Sequence, residues 1–169
     1  LTANIQGSPI GDAVSLVALR VPDRVLRDPG WRNHALPVAF RPGADEGDVA
    51  LLLDANVSSP PDDSQTVSLF WQSLRQVEGN WVIFVHAYSE EGDLLATGDA
   101  EPGNGAFPVR LWEPGDRVQS DHTLSLPQSV ATASIAVGIY RREDGRRMMA
   151  QRDGSRLPEG AVVIWSLER

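Results

Sequence analysis

The sequence predicts an all-β protein, a two-sheet antiparallel β-sandwich, immunoglobulin-like or jelly-roll-like in topology, and three observations predict it. Short apolar segments with period-two alternation recur along the chain. Clusters of Gly, Pro, Asp and Asn separate them. No window of a dozen residues carries a 3.6-residue repeat, so no helix is at hand for the crossover that a parallel sheet requires.

Taken in order, AVSLVALRV (13–21) opens the series, HALPVAF (34–40) is interrupted by Pro37, and DVALLLDANV (48–57) follows. QTVSLFWQSL (65–74) and NWVIFVHAYS (80–89) form the strongest pair. Val67, Leu69 and Trp71 share one face of the first, and Trp81, Ile83 and Val85 one face of the second. DLLATGDA (93–100) follows EEGD, where glycine can take the positive φ of a tight hairpin. RVQSDHTLSLP (117–127), ATASIAVGIYRR (131–142) and AVVIWSLE (161–168) come later, and EDGR (143–146) reads as a hairpin turn into RRMMAQR. Eight or nine strands at this spacing suit a sandwich. DRVLRDPGWRNH (23–34) and NVSSPPDDSQ (56–65) are the main loops, and neither is long enough to link domains; the chain is expected to form one domain over 1–169.

Composition narrows the function classes. With 169 residues, 41% of them hydrophobic and 22% charged, the chain has enough apolar matter for a sizeable core. All 15 basic residues are arginine, which reads as coding bias. A net charge of -8 leaves no basic footprint for nucleic acid or an anionic membrane surface. The absence of cysteine removes disulfides, thiol catalysis and thiolate metal sites. No apolar run approaches the roughly 20 residues that span a bilayer.

The candidate chemistry lies in aromatic, imidazole and carboxylate groups. Trp71, Trp81 and Trp165 fall inside alternating strands and are expected in the core or at its margin. Trp31 follows Asp28, Pro29 and Gly30 in a loop, where a ring has less structural reason to stand and can meet a ligand. Trp112 precedes the Pro114-Gly115 turn. There it either stacks on a sugar or, the reading preferred on position, plugs the end of the sandwich with its indole N–H on a backbone carbonyl. His86, Asp99 and Asp121 are expected as a small polar cluster around it. His34, His86 and His122 have no metal-ligand spacing. Asp99, Glu101 and Asn104 offer oxygens of the kind calcium takes, but match no calcium loop and read as solvated turn groups. Ser8 and Ser155 lack the GxSxG elbow, GDAEPGNGAFP precedes no helix that would meet a phosphate, and no cofactor box is present. Two facing carboxylates at a cleft base would mark a glycosidase.

VSLFWQS (67–73), WVIFVHAYSEEGDLLATGDAEPGNGAFPVRLWEPGDRVQSDHTLSLP (81–127) and IAVGIYRREDGRRM (135–148) carry a resemblance in that order. The string resembles the extracytoplasmic C-terminal β-sandwich module of bacterial, Chloroflexi-type multispanning membrane glycosyltransferases of the mannosyltransferase-like class. IGDAVSLVALRV is similar to the segment that usually opens it, while the stretch from Arg20 to Gln65 is longer than the pattern. In that family the chemistry belongs to the membrane-embedded part, so the resemblance implies no catalytic residue, cofactor or metal here. It implies a non-catalytic extracytoplasmic accessory or interaction module, with a glycan or a membrane or envelope protein as partner. The alternative is a carbohydrate-binding module using exposed tryptophans.

Overall fold

The computed structural model describes residues 36–58, 64–126 and 132–166. The expected strand at 13–21, the loop at 23–34, Trp31 and His34 lie outside the described residues. Ten strands form there: β1 (Val38–Arg41), β2 (Ala50–Ser58), β3 (Ser64–Ser73), β4 (Trp81–Tyr88), β5 (Leu94–Thr97), β6 (Arg117–Ser125), β7 (Ser134–Arg141), β8 (Met149–Arg152), β9 (Ser155–Arg156) and β10 (Ala161–Ser166). Short 3₁₀ turns at Pro102–Gly105, Val109–Leu111 and Pro158–Gly160 are the only helical elements among the described residues. Two antiparallel sheets pack face to face, one of six strands in the order β6-β3-β2-β1-β8-β9 and one of four in the order β10-β7-β4-β5. The protein is an all-β sandwich.

Alternation decides which side chains meet between the sheets. Val67, Leu69 and Trp71 of β3 turn inward to face Trp81, Ile83, Val85 and Ala87 of β4 and Ile135, Val137 and Ile139 of β7. In β2 the alternation changes phase. A bulge between Leu52 and Asp54 leaves Leu53 without a partner on β3, so the buried positions pass from Ala50 and Leu52 to Ala55. Just past the bulge, the Asp54 carboxylate accepts the Ala55 N–H at 2.8 Å.

The expected EDGR hairpin is only half a hairpin. Its turn closes, with the Arg141 N–H donating to the Arg146 carbonyl and Tyr140 bridging Arg147. Beyond Met148 the chain leaves β7 and crosses to the other sheet, where β8 pairs with β1. The crossing is crowded. A methyl group on Gly138 would stand 2.4 Å from the Phe84 ring and 2.6 Å from the Gly160 carbonyl oxygen, so both glycines serve close approach at this corner.

Candidate functional site

Inward alternation of Trp81, Ile83 and Val85 fixes the opposite alternation of Phe84, His86 and Tyr88, which turn to the outer face of the four-stranded sheet. Cross-strand register then lays out that face. Leu94, Tyr88 and Ser134 form one row, and Thr97, His86, Ala136 and Val163 the next. Leu94 and Val163, on the two edge strands of this face, are 52% and 50% exposed. Between them lies a shallow groove of about 440 Å³ lined by Tyr88, Ser89, Glu90, Ala133, Ser134, Ala136 and Val163.

A hydrogen-bonded run of polar groups borders the groove. The Tyr88 hydroxyl meets His86 Nδ1 at 3.3 Å, and His86 Nε2 meets Asp99 Oδ1 at 3.1 Å. One tautomer serves both contacts: Nε2–H donates to the carboxylate and Nδ1 accepts from the phenol. The Tyr140 hydroxyl faces the same carboxylate from across β4. Burial raises the Tyr140 phenol above its usual range, and the neighbouring Asp99 charge raises it further. Under this run, Phe84 is fully buried on what is nominally the solvent side of the sheet. The His86 ring lies 4.8 Å from it and the Arg147 guanidinium 4.6 Å above it.

A second polar run crosses the interior. Trp71 Nε1–H donates to Ser120 Oγ at 3.1 Å, Ser120 meets His122 Nε2 at 3.0 Å, and His122 Nδ1 meets the Gly98 carbonyl oxygen at 2.7 Å. Every group is satisfied when His122 is neutral with its proton on Nδ1, since Nε2 can then accept the serine hydroxyl. Burial lowers the His122 pKa. The Gly98 carbonyl and the charges of Asp121 and Asp99 oppose that shift without overcoming it.

Trp112 is 1% exposed, its ring 6.2 Å from that of Trp71 and its indole N–H donating to the Phe107 carbonyl at 3.1 Å. It is a plug, and a ring so enclosed offers no face to a sugar. Trp71 and Trp81 are also buried, and Trp165 packs against the core from the margin.

The expected polar cluster around Trp112 is divided. His86 and Asp99 do meet, but on the outer face, because His86 alternates with core-facing Val85. Asp121 alternates with buried Ser120 and His122, so it projects from the far side of the other sheet, where Gln119 donates to it at 3.0 Å. Glu101 is held by Arg110 and Arg142 rather than placed beside Asp99 as a cation ligand. Among the described residues no three His, Asp or Glu side chains converge as a metal-binding set. Neither composition nor any motif singles out Tyr88, Tyr140, Ser120 or the groove. The i, i+2 spacing of His86 and Tyr88 was the available signal for the first of them.

No protein-family model, curated protein or solved structure matches the chain. No helix among the described residues is long and apolar enough to cross a membrane.

Proposed function

We propose that this sandwich is a non-catalytic extracytoplasmic accessory module that docks on a membrane glycosyltransferase or another cell-envelope protein. The observation that carries the reading is the outer face of the four-stranded sheet. It presents exposed Leu94 and Val163, the Tyr88 ring and the small residues Ala136 and Ser134, with Glu90 and the His86–Asp99 pair at the border. An apolar centre with an aromatic residue and a polar rim is the composition of a protein-docking patch. Trp71, Trp81 and Trp112, which a sugar platform would present to solvent, are buried in the core instead, and Trp165 packs against its margin. The ordered strings from VSLFWQS to IAVGIYRREDGRRM supply the envelope setting.

The test is a photoreactive residue at position 163 in cells of the source organism. The expected result is a cross-link to a membrane-embedded glycosyltransferase or an envelope protein, abolished by Leu94→Asp. Absence of any such cross-link, together with saturable binding of a soluble glycan to the isolated domain, would replace this reading with the carbohydrate-binding one.

A further inference from the structure

The two polar runs meet at adjacent residues. The interior run from Trp71 through Ser120 and His122 ends on the Gly98 carbonyl, and the outer run from Tyr88 through His86 ends on the Asp99 carboxylate. Gly98 and Ala100 are tied to β4 by N–H groups donating to the Val85 and Ile83 carbonyls at 2.8 and 3.0 Å. On its other side Gly98 lies so close to β6 that a methyl group would stand 3.0 Å from the Thr123 carbonyl oxygen. The segment carrying Asp99 is thus clamped between the sheets, and the side-chain part of the clamp is His122.

We propose that His122 is a proton-sensitive latch, which in its neutral form holds Gly98 and so positions Asp99 against His86 and Tyr140, and which releases that segment on acidification. The Gly98 carbonyl accepts Nδ1–H from either form of the ring, but the Ser120 hydroxyl donates only to a neutral Nε2. Protonation therefore turns the serine hydrogen away and leaves a charge in the interior. Little faces that charge. β4 turns only Trp81, Ile83, Val85 and Ala87 inward, and β3 contributes the Trp71 indole. Asp121 on the ring's own strand projects outward, and Asp99 is already committed to His86 and Tyr140. The lowered His122 pKa agrees with this imbalance. A charged ring reaches water by leaving its place, and the Gly98 contact goes with it. His122 is a positioning residue in this scheme, and the scheme holds whatever partner the outer face takes.

The experiment follows amide-exchange protection at Gly98 and Ala100 against pH by NMR, alongside the ¹⁵N shifts of the His122 ring. The expected result is a loss of protection of at least about tenfold, with the same midpoint as His122 protonation, while central β3 and β7 amides stay protected. His122→Asn keeps an N–H for the Gly98 carbonyl and cannot titrate, so it should flatten the response at Gly98 and Ala100. The proposal is overturned if His122 titrates without loss at those two amides, if all strands lose protection together, or if His122→Asn opens with the wild-type pH dependence. Should the variant fail to fold, the midpoints in the wild-type chain decide alone.

Discussion

At the residue scale, the interior is specified by rings that carry polar atoms. Trp112 fills the space beside Trp71 and satisfies the Phe107 carbonyl, so Trp112→Ala should cost about 3–5 kcal/mol in urea unfolding. Trp112→Phe should cost less, because most of the apolar volume stays and one hydrogen bond is lost. Ser120→Ala leaves the Trp71 N–H and His122 Nε2 without their buried partner and should lower stability by about 1–3 kcal/mol. On the surface, Asp144 receives the Arg141 guanidinium and the Arg146 N–H, which lower its pKa to about 2. Arg141→Met should move its titration, read by carboxyl carbon shifts, back toward the ordinary value of 3.8. The Trp112 plug was legible from its position before Pro114-Gly115. The His122 run was not, since its members come from β3, β6 and the segment after β5, and one-dimensional spacing does not report a contact 49 residues apart.

At the scale of elements, alternation was legible in the strongest pair of strands, and β3 and β4 bury the faces their patterns give. It was not legible in DVALLLDANV, where three consecutive leucines fit either phase and the bulge at Leu53 decides between them. Nor does EDGR reveal that the chain after it changes sheets. The Met148 carbonyl at that crossing lies against Gly160, whose own carbonyl and the Phe84 ring in turn occupy the space a side chain at Gly138 would need. Gly138→Ala should therefore destabilise by about 1–3 kcal/mol, with the Phe84 ring displaced, as a lowered melting temperature and a shifted ring-proton signal would show.

For the whole molecule, the buried His122 ties stability to pH. Its folded pKa lies below its ordinary value of 6.5, so between those two values the unfolded chain binds more protons than the folded one. The His122 contribution is thus fully present above pH 6.5 and is lost as pH falls through the folded pKa. Denaturant titrations across that window should show a slope that His122→Asn removes. Burial of Trp71, Trp81 and Trp112 also has a bulk signature. In a background with both Trp31→Phe and Trp165→Phe the emission should be blue-shifted and poorly quenched by acrylamide, and a red-shifted, quenchable population would contradict the packing of Trp71, Trp81 and Trp112.

The sequence by itself determined that this protein is a β-sandwich, because period-two alternation between turn residues leaves the chain no other way to bury its apolar faces. It also determined that Trp71, Trp81 and the middle of β4 belong to the core. Only the tertiary structure decided that His86 joins Asp99 and Tyr140 outside the sandwich while His122 is sealed within it. Both histidines sit in alternating strands. Which side of a strand becomes interior depends on the sheet that covers it, and that is settled by pairing between segments far apart in the chain.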